Sequence, residues 1–304
     1  MKRIVSLTFA GALLVIGAAV NGSTVEDCSG AGVLFQADAS RAAAACRRLA
    51  DQGNAQAQFA LGVMYDFGEG VPQDYAEAMR WFRKAADQGL AAGQFGIGFM
   101  YDNAHGVPQD YGEALKWYGR AASRNDANAQ YYLGRMYKLG HGVQRNYPEA
   151  LRWFKRAAAQ GLAIAQDSVG DLYDDGYGVR QDYAEALRWY RMAADRGFAE
   201  AENALGIMYY KGHGVQRNYA EALRWFQKAA VQGHAGAQYH LGFMYEAGRG
   251  VSRDLVQAYM WFDLAARSDG TAHQHYAIAY RESIASNMTI SQLFKARVLA
   301  AEWR

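Results

Sequence analysis

The sequence is poor in proline and cysteine and has almost no net charge. Among 304 residues there are 3 prolines and 2 cysteines, against 33 glycines. Scarce proline with frequent glycine favours helices that are separated by glycine-containing turns. Lysine and arginine total 32 and aspartate and glutamate total 30. A nucleic-acid-binding protein needs a basic surface to neutralise phosphates, so we expect no nucleic-acid partner.

The motifs of common catalytic sites are also missing. The chain contains no Ser-x-x-Lys, Gly-x-Ser-x-Gly or His-Glu-x-x-His, and no phosphate-binding Gly-x-x-x-x-Gly-Lys. We therefore predict no catalytic residue, no cofactor and no metal ligand. Catalytic groups converge in space rather than in sequence, so an enzyme is kept below as the alternative.

The first 22 residues resemble an export signal. Lys2 and Arg3 precede a mostly apolar run over residues 4–20, and small residues follow. This pattern predicts a cleaved signal peptide over 1–22 and a periplasmic or secreted protein. An uncleaved anchor is the alternative, but the run is short for a membrane span. We expect no stable membrane insertion after cleavage.

Both cysteines, Cys28 and Cys46, lie near the predicted mature N-terminus. In an oxidising compartment such a pair is a candidate disulfide. That bond would tie the first segment of the mature chain to the first helix. Two free thiols and an intermolecular bridge are the competing interpretations.

A repeat of 36 residues dominates the rest of the chain. Tryptophan, tyrosine and glycine residues each recur six times at this spacing with no insertion. Such self-similarity is typical of helical repeat arrays, in which each unit buries its apolar faces against its neighbours. The tryptophans are Trp81, Trp117, Trp153, Trp189, Trp225 and Trp261.

Each repeat is predicted to form two helices. In the first repeat, apolar residues at helical spacing predict helices over 55–65 and 75–87. Gly68 begins the connecting turn, and Asp74 is a candidate N-cap with Glu77 as its capping-box partner. Gly62, which recurs in every repeat, is expected to let the helix backbones approach closely.

The repeat divides the chain into four predicted regions. They are a signal peptide over 1–22, an N-terminal cap segment and half-repeat over 23–53, six repeats over 54–269, and C-terminal capping helices over 270–304.

The repeated blocks resemble Sel-one-like repeats, which are relatives of tetratricopeptide repeats. The resemblance rests on segments such as AQAQFALGVMYDFGEGVPQDYAEAMRWFRKAADQG, with the pattern A-x-x-x-L-G-x-x-Y, G-V, Y-x-E-A-x-x-W and A-A. It implies an all-α, right-handed solenoid of tandem antiparallel helix hairpins. Family members are mostly adaptors and regulators. Some members with cysteine-bridged repeats are linked to β-lactam binding or hydrolysis, but no repeat of this chain contains cysteine.

Three histidines, His105, His141 and His213, share one position of the turn. Helices that pack together lie roughly 8–10 Å apart, so equivalent atoms of adjacent repeats start near that separation. Zinc ligands lie about 2 Å from the ion. We therefore do not assign a metal site to this position.

The candidate partner-binding face consists of positions where the repeats differ. On the first helix of each repeat, such positions recur at i, i+4 and i+7 and share one face. If this face lines a concave groove, it is an aromatic surface with a central polar band. The alternatives are that the aromatic residues pack in the core, and that Arg135 and Lys138 pair with neighbouring aspartates. The candidates are Phe59, Val63, Phe95, Phe99, Tyr131, Arg135, Asp167, Asp171, Ile207, Tyr239 and Phe243.

These observations predict an exported repeat scaffold that binds a protein or a peptide, of unknown identity. A regulatory role in cell-envelope signalling or secretion falls within this prediction. The alternative is a cell-envelope enzyme of the β-lactamase or peptidoglycan-processing kind, which rests on family association alone.

Overall fold

The chain is all-α, as the repeat predicts. The computed structural model describes residues 36–268 and 272–303, and within these ranges it contains 15 helices and no strand. The predicted signal peptide and Cys28 lie outside the described residues. The helices are α1 Gln36–Asp51, α2 Ala55–Phe67, α3 Tyr75–Asp87, α4 Ala91–Asn103, α5 Tyr111–Ser123, α6 Ala127–Leu139, α7 Tyr147–Ala159, α8 Ala163–Asp175, α9 Tyr183–Ala194, α10 Ala199–Lys211, α11 Tyr219–Val231, α12 Ala235–Ala247, α13 Leu255–Ala266, α14 Ala272–Ala285 and α15 Ile290–Glu302.

The ends of the helices follow from local chemistry. The Asp74 carboxylate accepts the backbone N–H groups of Ala76 and Glu77 at 2.9 and 3.0 Å, which confirms it as the N-cap of α3. Helix α2 runs two residues beyond its predicted end. It stops at Gly68, whose φ of 72° breaks the helix and whose N–H donates to the Met64 carbonyl.

The predicted capping box at Asp74 is only half formed. The Glu77 carboxylate accepts from Arg80 at 2.7 Å and from the Trp81 indole at 3.2 Å. Those two contacts hold the side chain on the helix surface. Both halves of a capping box are present at Thr289, which begins α15.

The helices form two compact units, which divide between Gln160 and Gly161. The first unit contains α1–α7 and the second contains α8–α15. Within each unit, the two helices of a hairpin pack on each other, and consecutive hairpins pack side by side. None of the described helices is long and apolar enough to cross a membrane.

The repeated glycine of each first helix makes room for an aromatic ring. A Cβ atom at Gly62 would lie 2.6 Å from the Phe82 ring, and one at Gly206 would lie 2.5 Å from the Phe226 ring. Both rings are fully or almost fully buried. The glycine therefore leaves space for an aromatic side chain of the second helix.

Candidate functional site

In the first unit, the candidate face is part of the core. The exposed fraction is 2% for Phe59, 1% for Val63, 2% for Phe95 and 1% for Phe99. The Phe95 ring packs against Tyr118, with 5.6 Å between centroids. These four residues are therefore too buried to contact a partner, and their assignment to a binding face is wrong. Large apolar side chains at these positions pack between helices, because burial of their apolar surface is favourable.

Tyr131 and Arg135, also in the first unit, are half-buried. The Tyr131 ring packs against Phe154 at 5.6 Å between centroids. The Arg135 guanidinium lies over the Tyr132 ring, 5.0 Å from its centroid. Both side chains thus contribute to packing around α6 and α7.

In the second unit, the same positions line a groove of about 590 Å³. Helices α8, α9, α10 and α14 supply its walls, together with the turns after α8 and α10 and the N-cap of α12. Three of the candidate residues, Asp167, Asp171 and Ile207, are brought together here. The full lining is Asp167, Asp171, Asp174, Asp175, Gln181, Tyr183, Tyr190, Glu200, Asn203, Ala204, Ile207, Met208, Lys211, His213, His234 and His273.

The groove is strongly acidic. Five carboxylates and one lysine line it, so its formal charge is −4 when the histidines are neutral. Burial raises the pKa of Asp174, and the neighbouring Asp175 carboxylate raises it further. His213 and Lys211 act in the opposite direction on the pKa of Asp174. A buried carboxylate among other carboxylates is stabilised by any additional cation that enters the groove.

The groove offers more hydrogen-bond acceptors than donors. Tyr190 donates its hydroxyl to Asp171 at 3.0 Å, and burial with the adjacent carboxylates raises the pKa of this tyrosine. Asp174 Oδ1 and Asn203 Oδ1 are buried, and within residues 36–268 and 272–303 neither has a hydrogen-bond partner. A buried acceptor without a donor costs free energy, whereas the carboxylates that line the groove are open to a ligand that brings N–H groups.

Three histidines lie along the groove in different settings. His213 stacks on Tyr183, with 4.5 Å between ring centroids. His234 Nδ1 accepts the N–H of Ala237 at 3.0 Å and so caps α12. Burial lowers the pKa of His234, and the adjacent His273 lowers it further. In the described part of the chain, no group of three or more His, Cys, Asp or Glu side chains is placed to hold a metal ion.

The histidines of the repeated turn position join consecutive repeats. Each stacks on the tyrosine that opens the second helix of the preceding repeat. His105 also hydrogen-bonds Asp66 of that repeat at 2.7 Å. These rings therefore have a packing role between hairpins. The stacked pairs are Tyr75 with His105 at 4.8 Å, Tyr111 with His141 at 4.4 Å, and Tyr183 with His213 at 4.5 Å.

The sequence did not predict several charged or titratable residues of the groove, including Asp175, Glu200, Lys211, His234 and His273. Glu200 lies one helical turn before Asn203 on the same face of α10, so extending the i, i+4, i+7 pattern backwards finds it. Lys211 ends the same helix. His234 and His273 come from an N-cap and from α14, which the repeating pattern of the first helices does not reach.

Tyr239 and Phe243, the last two candidates, are half-buried at one side of the groove. Tyr239 lies 5.5 Å from the His273 ring, and Phe243 lies 4.8 Å from Tyr239, both measured between ring centroids. They belong to an aromatic cluster that is described below.

Two solved structures that are similar to the chain are Sel1 or SLR repeat proteins. A Sel1 repeat protein from Oxalobacter formigenes is 35% identical, with a TM-score of 0.68, over 73% of this chain and 98% of that protein. A protective antigen of uropathogenic Escherichia coli strains that displays an SLR fold is 26% identical, with a TM-score of 0.46, over 99% of this chain and 85% of the antigen. The comparison with curated proteins returned no match.

The family model of the Sel1 repeat matches six consecutive segments of the chain. They leave no gap between them and cover more than half of its length. The segments are 55–90, 91–126, 127–162, 163–198, 199–234 and 235–270. The chain therefore belongs to the Sel1 repeat family.

Proposed function

We propose that the chain is a binding scaffold that holds a positively charged protein segment in the acidic groove of its second unit. Sel1 repeat proteins are generally protein–protein interaction scaffolds, and their fold is typically non-catalytic. The observation that carries the proposal is the groove itself, in which five carboxylates face one lysine. Charge complementarity of this kind selects a partner and speeds its association.

A lysine or arginine side chain suits the groove chemically. Its N–H groups can donate to the carboxylates that line the groove. Arginine is favoured over lysine, because its planar guanidinium presents five donors and pairs with carboxylates in a bidentate manner. An extended peptide or an exposed loop of a folded partner can present such a side chain.

The proposal also includes export. The positive start and apolar run of residues 1–22 support removal of a signal peptide and a periplasmic or secreted location. There, the scaffold would serve a cell-envelope process such as signalling or secretion.

Titration calorimetry with short peptides of equal length tests the binding role. We expect an arginine-rich peptide to bind the full chain, and an acidic peptide and a glycine–serine peptide not to bind. The affinity should fall with rising salt, because the attraction is electrostatic. The double variant Asp171→Asn, Asp175→Asn preserves shape and removes two charges, and it should weaken binding by about tenfold or more.

The matched control removes two charges outside the groove. Asp51 and Asp87 are exposed residues of the first unit, and the variant Asp51→Asn, Asp87→Asn should bind the arginine-rich peptide as the original chain does. Equal weakening by both double variants would show that only total charge matters. Failure of the original chain to prefer the arginine-rich peptide would overturn the proposal.

A further inference from the structure

An exposed aromatic cluster borders the acidic groove. Tyr239 and Phe243 of α12 and Tyr276 and Tyr280 of α14 form this cluster, which we name the aromatic shelf. Phe243 lies 4.4 Å from Tyr280, and Tyr239 lies 6.4 Å from Tyr276, measured between ring centroids. Tyr276 is 60% exposed and Tyr280 is 37% exposed. The rings are contiguous, and contiguous exposed apolar surface often marks a binding site.

The shelf is held by the core beneath it. The fully buried Phe262 stacks under Tyr280 at 5.7 Å and meets the edge of Phe243 at 5.2 Å. Burial and the adjacent hydroxyls of Tyr280 and Tyr276 raise the pKa of Tyr239, so its hydroxyl stays neutral. Aromatic rings fixed in this way lose little conformational freedom on binding, which makes them effective anchors.

His273 connects the shelf to the groove. Its ring lines the groove and lies 5.5 Å from the Tyr239 ring. Side chains on one face of an extended peptide are about 6.6 Å apart, since each residue advances about 3.3 Å. One extended segment can therefore place a side chain on the shelf while a neighbouring side chain enters the groove.

We propose that the shelf is a second subsite for the same partner segment. It takes an aromatic side chain, or a large aliphatic one, that lies two to four residues from the arginine or lysine in the groove. This inference rests on the proposed function, because the charge of the groove selects the cationic segment. The partner therefore presents a basic residue and a large apolar residue close together, on an extended stretch of chain.

Two arginine-rich peptides test the subsite in the intact protein. One carries a tryptophan two residues after its last arginine, and the other carries alanine at that position. We expect the tryptophan peptide to bind about tenfold more tightly to the original chain. The variant Tyr276→Ala, Tyr280→Ala should bind both peptides with similar, weaker affinity. A variant with Phe294→Ala, which removes a 70% exposed ring of α15, should keep the preference.

Each result separates the subsite from the proposed function. Equal affinities of the two peptides for the original chain, with arginine-dependent binding intact, would overturn the subsite and leave the groove standing. No binding of either peptide would overturn both. Loss of a stable dimer in the double tyrosine variant, seen by light scattering, would assign the shelf to a second copy instead. Binding of the original chain to neutral phosphatidylcholine vesicles, lost in the same variant, would assign it to a membrane surface.

Discussion

His105 Nδ1 lies 2.7 Å from Oδ1 of Asp66, a carboxylate that is fully buried at the end of α2. The histidine belongs to the turn of the following repeat, so this bond joins two consecutive hairpins. The ring supplies a donor to the preceding repeat and a flat surface for its tyrosine.

Replacing His105 should therefore destabilise the first unit. His105→Ala leaves the Asp66 carboxylate buried without this donor, and we expect a loss of about 2–4 kcal/mol in the free energy of unfolding. The matched control is His141→Ala, because its neighbour Asp102 keeps the hydrogen bond from Tyr118 at 3.2 Å. Urea unfolding, followed by tryptophan fluorescence, should show a clearly smaller loss for the control. Equal losses would contradict the special role of Asp66.

The glycines of the helices differ sharply in what surrounds them. Gly206→Ala would place a methyl group 2.5 Å from the buried Phe226 ring. Because the ring cannot move without opening the core, we expect a cost of about 1–3 kcal/mol. Gly119→Ala has open space within 4 Å of the new Cβ, so it should stabilise its helix by about 0.5–1 kcal/mol.

Thermal unfolding compares the stability of these two variants with that of the original chain. The melting temperature should fall for the variant at position 206 and stay the same or rise for the variant at position 119. A lower melting temperature in both variants would contradict this explanation, because a new methyl group would then destabilise the helix even where no ring lies near it.

His240 should make stability depend on pH. Burial, together with the neighbouring His273 and His234, lowers its pKa to about 4. An unfolded histidine has a pKa near 6.5. The unfolded chain therefore binds the proton more readily, and the contribution of His240 to stability is complete above about pH 6.5. It is lost progressively as the pH falls towards 4, by up to about 3 kcal/mol.

The variant His240→Phe removes the titrating group and keeps a ring to stack on Phe226, which lies 4.8 Å from His240. Urea midpoints should be measured for both proteins at pH 7, 5.5 and 4. We expect the midpoint of the original chain to fall more than that of the variant as the pH is lowered. A difference between the two proteins that stays constant over this range would show that His240 does not titrate in the folded state.

Peptide mapping tests the predicted Cys28–Cys46 disulfide directly. Cys46 is fully buried on α1, while Cys28 lies outside the described residues. Peptide mapping of unreduced protein should recover one linked peptide that contains both cysteines. Its reduction should lower stability by about 3 kcal/mol, the value for a loop of this length. Two unlinked peptides, or a covalent dimer, would favour the competing interpretations.

The sequence alone determined the helices, their hairpin pairing and their turns. The same capping and turn residues recur every 36 residues, and each of them acts on backbone atoms only a few residues away. Asp74 caps a helix through its immediate neighbours, and Gly68 ends one because only a small set of residues tolerates its φ. Helix starts and ends of this kind can be predicted from the sequence, because they do not depend on contacts with distant residues.

Only the tertiary structure decided which variable positions are open. Phe95 and Asp167 occupy equivalent places on α4 and α8, yet Phe95 is buried and Asp167 lines a groove. Helical spacing reports that residues share a face, but burial depends on what neighbouring helices place against that face. Burial of an apolar ring between helices is favourable. Burial of a carboxylate costs desolvation free energy, so the carboxylate stays at the solvated wall of the groove. His273, which joins the groove to the aromatic shelf, comes from a helix outside the repeat, so no periodic pattern places it there.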